Sequence, residues 1–185
     1  MTLTIEDGTS VLNADSYTTV AEVDTYITDY TTDLVWCTKS IPEKESYIRK
    51  GTNYVDDFYR SRWRGRPTKE RTLQTRAWPR RGVVLTYNNT VEINWHIGTP
   101  TETVNPTEIP LELKQACMEA AIKLANDVDL QQDANFKGEV QREKVDIIEV
   151  QYTAFSSGVK VRFPDIEDRL KPFITPRSNP RMVRG

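Results

Sequence analysis

Few residues in this chain have the types and spacing that chemistry at neutral pH needs. Proton transfer and nucleophilic attack most often rest on His, Cys or paired carboxylates. The sequence has one histidine, His96, between Trp95 and Ile97, where it reads as a surface or packing residue. Cys37 and Cys117 are the only cysteines, and with a lone His they cannot supply the ligand spacing of a zinc site. Cys117 lies on the apolar side of a helical pattern and reads as core. Glu112-Leu113-Lys114 has the Glu-x-Lys spacing of Mg²⁺-dependent nucleases. It sits, however, in the first turn of a helix, where the helix dipole favours acids anyway. Asp56 and Asp57 diverge by ~100° around a helix axis and do not converge on one ion. No nucleophile elbow, Walker loop or dinucleotide fingerprint occurs. The expectation is a non-enzymatic protein with no catalytic residue, no cofactor and no metal.

The side chains that do stand out are basic. Arg60, Arg62, Arg64, Arg66, Lys69, Arg71, Arg76, Arg80 and Arg81 fall within residues 60–81 against one acid, Glu70, a net charge of +8. Trp63 and Trp78 interrupt the run. Bases stack on aromatic rings and phosphates pair with Arg, so this composition suits single-stranded DNA. The other reading makes Trp63 and Trp78 buried structural anchors and turns the guanidinium groups toward carboxylates of a neighbouring subunit, which they grip with two parallel hydrogen bonds. Trp78 precedes Pro79, which holds it extended and suits a packed corner. Two further blocks share this segregation. Residues 1–38 carry seven acids and no Lys or Arg, and the last fifteen residues carry four bases and no acid, inside a formal total of −2. Opposed blocks on one chain suit head-to-tail contact between copies.

These residues need a scaffold. Thr19 and Glu22 form a capping box ahead of Val20, Val23, Tyr26, Ile27 and Tyr30, which predicts a helix over about 19–30. Ser40 and Glu43 repeat the signal with Pro42 in the first turn. A second helix over about 41–62 then presents Tyr47, Ile48, Gly51, Tyr54, Val55, Phe58 and Tyr59 on one face. Val83–Tyr87 and Thr90–Trp95 read as a β-hairpin turning at Asn88-Asn89, followed by a Thr/Pro loop over 98–109. Pro110 starts a third helix lined by Leu113, Ala116, Cys117, Ala120, Ala121, Leu124 and Val128, whose alanines let a neighbouring helix approach closely. Val140–Val145, Ile147–Thr153 and Val159–Phe163 are strand-like. Pro164 opens a fourth helix with Ile166, Leu170 and Phe173 inward. The fold class is therefore mainly α with a small β element: a helical core of about four helices, a hairpin and strands, long loops and an extended C-terminal tail. One domain spans 1–174, with 83–109 as a hairpin and loop extension, and 175–185 is the tail.

The length fits one domain with a real core. The apolar fraction of 37% implies a modest one carrying exposed loops. No run reaches the ~18 apolar residues of a membrane span, and the start has neither the basic region nor the apolar run of a signal peptide. The expected location is the host cytoplasm, or a particle into which the chain is built.

Several motifs, taken in order, look familiar. They are Ser16-Tyr17 with Thr19-Val20-Ala21-Glu22; Trp63-Arg64-Gly65; Ala77-Trp78-Pro79-Arg80-Arg81-Gly82-Val83; Ile109-Pro110 before the Ala-rich helix; Glu143-Lys144-Val145 before a strand ending in Tyr152; and the terminal Val183-Arg184-Gly185. Together they resemble a tailed-bacteriophage family labelled DnaT-like single-stranded-DNA-binding protein, whose members look like head-to-tail adaptors (connectors, or head-completion proteins). The resemblance spans about 14–185. As an adaptor, the chain is expected in the virion neck at the head-tail junction. It would form a ring of twelve copies beneath the portal protein and above a stopper, tail-terminator or other tail protein, with genomic double-stranded DNA passing through the channel and no membrane partner. Pro176, Arg177, Pro180, Arg181, Met182, Val183, Arg184 and Gly185 are then a portal-binding peptide, kept extended by its prolines. The alternative is a DnaT-like single-stranded-DNA-binding replication accessory protein. The adaptor accounts for the acidic start and the tail as well as the basic block, and a pI near 5.6 is low for a nucleic-acid binder. The adaptor is therefore the expectation of first choice.

Overall fold

In the computed structural model, residues 2–70, 72–85, 102–130 and 163–176 are described in full, together with the backbone of short strands at 93–94, 99–100, 140–142 and 151–152. The fold is mainly helical. Helix α1 (Val20–Tyr30) starts where the capping box requires: Thr19 Oγ1 accepts from Glu22 N, and Glu22 Oε2 accepts from Thr19 N at 2.7 Å. A short helix α2 (Leu34–Thr38) follows, capped by Asp33, whose carboxylate accepts from Trp36 N. Helix α3 (Ile41–Phe58) begins at the Ser40/Glu43 box. It stops four residues short of the expected end. Past Phe58 the backbone tightens into a turn, with Arg62 N and Trp63 N both donating to Tyr59 O, and this brings Trp63 back onto the Tyr59 ring.

Helix α4 (Leu111–Ala125) is buried on most of its circumference, as expected for a helix that fills the middle of a fold. One side, Leu113, Ala116, Cys117 and Ala120, packs with Tyr54, Val55, Tyr59, Trp63 and Trp78. The other side, Met118, Ala121, Ile122 and Ala125, packs with Val23, Tyr26, Ile27, Trp36 and Ile48 from the first three helices. Val128 lies beyond the helix end and is exposed. The α3–α4 approach is close enough that only Gly51 fits between the axes: an added Cβ would stand 2.8 Å from Ala121 N and 3.0 Å from Cys117 O. Helix α5 (Pro164–Leu170) and the 3-10 turn Lys171–Phe173 close the first cluster with Ile166, Leu170 and Phe173. No described helix is long and apolar enough to cross a membrane.

Among the described residues the strands form three two-stranded antiparallel pairs: β1 (Arg66–Pro67) with β2 (Arg80–Arg81), β3 (Ile93–Asn94) with β4 (Thr99–Pro100), and β5 (Val140–Arg142) with β6 (Gln151–Tyr152). The turn expected at Asn88-Asn89 lies outside the described residues. Val83 to Leu85 bond to 102–104, through Leu85 N to Glu102 O and Val104 N to Val83 O, inside the segment read as a Thr/Pro loop. This register carries both Val83 and Val104 into the core. The strand expected at 159–163 falls almost wholly outside the described residues.

Candidate nucleic-acid interface

The basic segment leaves α3 at Tyr59 and returns across the core before β2, so its two tryptophans land inside. Trp78 is fully buried and Trp63 nearly so. Their rings meet edge to face at 5.9 Å, and Trp78 meets Phe173 the same way at 5.7 Å, an arrangement favoured by the ring quadrupoles. Neither indole is open to a nucleotide base. A polar strut fixes the corner. Tyr17 Oη accepts from Trp78 N and donates to Asp56 Oδ1 at 2.8 Å, while Ala77 N donates to Asp56 Oδ2. Burial pushes the Asp56 carboxyl up to about 6, although the Tyr17 hydroxyl, the nearby Arg76 and the Ala77 N–H pull it the other way.

Most of the cations in this segment hold the chain together. Arg80 is buried and donates to three carbonyls, those of Arg64, Gly65 and Ala77. Arg64 donates to Ile174 O and Val84 O, and Arg62 to Thr175 O and Glu167. Arg76 reaches Ala14 O and Asn53 and lies 3.6 Å from Asp56. Lys69 Nζ donates to Thr9 O, and exposed Arg60 pairs with Asp57. The segment 173–175 is drawn onto this loop as well, through Arg64 N to Phe173 O and Thr175 N to Arg62 O. Thr175, the expected first residue of the tail, is therefore bonded to the domain, and Pro176 is exposed. Arg71, Arg177, Pro180, Arg181, Met182, Val183, Arg184 and Gly185 lie outside the described residues, as does the His96 side chain.

What remains outward is Arg66 and Arg81. They are exposed and face each other directly in the β1–β2 ladder. Among the described residues no carboxylate pairs with Arg64, Arg66, Arg80 or Arg81. Carbonyls satisfy the donors of Arg64 and Arg80 without cancelling their charge. Arg66, Arg80 and Arg81 belong to one short ladder and Arg64 stands just before it, and burial lowers the pKa of both Arg64 and Arg80, a sign of how poorly their charge is solvated.

Compared with known proteins, the whole chain, residues 1–185, matches the family described as "Putative DnaT-like ssDNA binding protein". The chain belongs to this DnaT-like family. No curated protein and no solved structure matches it. The match corrects the expectation of a bacteriophage virion connector. The DnaT-like description names single-stranded-DNA binding and lends nothing to a portal-binding ring with tail-side partners.

Three acids of the acidic start of this DnaT-like chain have basic partners within the chain itself. Asp15 pairs with Arg49, Glu22 with Lys114 and Asp24 with Lys44, all outside 60–81 and within the same chain. Glu6 is fully buried and accepts from the backbone N–H groups of Gly8, Ser10 and Val11, a role that only tertiary closure of the N-terminal loop reveals. Of the Glu-x-Lys triplet, Glu112 is exposed, Leu113 is core and Lys114 serves Glu22. Cys117 is buried and Cys37 exposed. Among the described residues no three His, Cys, Asp or Glu side chains converge as metal ligands.

Proposed function

We infer that this chain binds single-stranded DNA as a replication accessory protein. Membership of the DnaT-like family over the full length carries the reading. The uncompensated guanidinium groups around β1 and β2 support it, because a chain of net charge −2 needs a local positive field to hold a polyanion. The mode is electrostatic tracking of the sugar-phosphate backbone and not stacking on tryptophan, since Trp63 and Trp78 lie in the core. Fluorescence anisotropy of a labelled thymidine oligonucleotide tests this, with the same oligonucleotide annealed to its complement as competitor. The single strand should bind with a dissociation constant in the micromolar range or below and lose affinity steeply with salt. Stronger binding of the duplex, or no binding of either, would overturn the proposal.

A further inference from the structure

We propose that Arg66 and Arg81 form a two-pronged clamp on one phosphodiester group of the bound strand, an inference that rests on the single-stranded-DNA reading above. Residues directly opposite in an antiparallel ladder place their side chains on one face, with Cβ atoms about 4.5–5.5 Å apart, and like charges in that position repel. Arg66 stands opposite Arg81, both are exposed, and neither has an acidic partner among the described residues. A ladder only two residues long gains little from its own hydrogen bonds. Its like-charged pair is tolerated because the frame is fixed from beneath. The Arg80 guanidinium ties Gly65, Arg64 and Ala77 together, Thr68 N donates to Pro79 O, and the Thr68 hydroxyl donates to Pro106 O.

The turn geometry leaves the outer face open. Gly65, at a φ of +65°, is pressed against Arg81 O and Val83, and a Cβ there would stand 2.4 Å from that oxygen. Gly82, at a φ of +69°, has nothing within 4 Å of the place a Cβ would occupy. A phosphate can therefore come up to the backbone beside Arg81. Each guanidinium offers a planar fork that fits phosphate oxygens, and two forks held on one face neutralise each other's repulsion by sharing one anion. The buried charge of Arg80 behind the ladder adds to the attraction.

The test uses the full chain and three variants, Arg66→Ala, Arg81→Ala and the double, titrated with the labelled thymidine oligonucleotide at several salt concentrations. Arg60→Ala is the control, since Arg60 pairs with Asp57 away from the ladder. Each single variant should weaken binding roughly tenfold or more, the loss of charge-assisted hydrogen bonds. The double should be little worse than either single, because both arms hold the same group. The salt slope should fall by about 0.7, the share of one phosphate on a single strand. Thermal midpoints should stay level or rise in all three, since repulsion is removed. Two independent, additive losses with a doubled change in slope would overturn the shared clamp. Wild-type affinity in the double variant would overturn the ladder as the site while leaving single-stranded-DNA binding intact. Failure of the unaltered chain to bind the oligonucleotide would remove both.

Discussion

Gly51→Ala pits helix propensity against interhelical distance, and the structure decides the sign. At an exposed helical position this change stabilises by about 1 kcal/mol, because glycine loses more backbone entropy on folding. Gly51 is buried in α3 against α4, and a new Cβ would lie 2.8 Å from Ala121 N, 3.0 Å from Cys117 O and 3.2 Å from Ala121 Cα. All three are backbone atoms, so no side chain can rotate away. Relief requires α3 and α4 to move apart, loosening Tyr54 and Val55 against Ala116, Cys117 and Ala120. Overpacking of this kind costs about 1–3 kcal/mol, which outweighs the propensity gain and leaves a net loss of about 1 kcal/mol. For a chain of this length that lowers the thermal midpoint by about 2–4 °C. Gly51→Val should fall further. Thermal unfolding followed by circular dichroism, with a urea titration beside it, measures both. A midpoint that rises in Gly51→Ala would refute the close α3–α4 contact.

Three other outcomes follow from the core and the polar strut. Trp78→Ala removes a fully buried ring and should cost about 3–5 kcal/mol in denaturant unfolding. Arg80→Lys keeps the charge, but an ammonium cannot span the carbonyls of Arg64, Gly65 and Ala77. Stability should drop by about 1–3 kcal/mol, where an exposed surface arginine would show almost no change. Asp56 has its folded pKa raised from 3.8 to about 6, so between those values the folded state holds the proton more tightly than the unfolded chain. Stability from this group is therefore greatest below the unfolded value and is lost as pH rises through about 6. The stability of the wild type relative to Asp56→Asn should fall by about 3 kcal/mol between acid and neutral pH. A difference that does not vary with pH would contradict the burial of this carboxyl.

The helices were legible because their signals are local. Thr19 with Glu22 and Ser40 with Glu43 form capping boxes within four residues of chain, and both boxes are present. The short α2 was missed, yet Asp33 three residues before Trp36 is the same kind of cap. The alanines of α4 read correctly as a surface that lets a neighbouring helix come close, since absence of side-chain bulk is itself a pattern, and Gly51 of α3 is what meets them. The arginines were not legible. Whether a guanidinium finds a phosphate, a carboxylate or its own chain's carbonyl depends on what folds beside it, and Arg62 meets Thr175 across more than half the sequence. The pairing of Val83 with Val104 was hidden for a like reason: it joins positions far apart in the sequence, and only the burial of both valines in one cluster favours it. The acidic block read as an intermolecular surface because its partners, Arg49, Lys44 and Lys114, are scattered along α3 and α4.

The central claim is that single-stranded DNA lies across the β1–β2 ladder, and hydrogen exchange of the chain with and without a saturating thymidine oligonucleotide tests it most directly. Protection should rise in peptides covering 64–68 and 79–83, while the α3–α4 core exchanges as before. Protection confined to other segments, or none at saturation, would contradict the account.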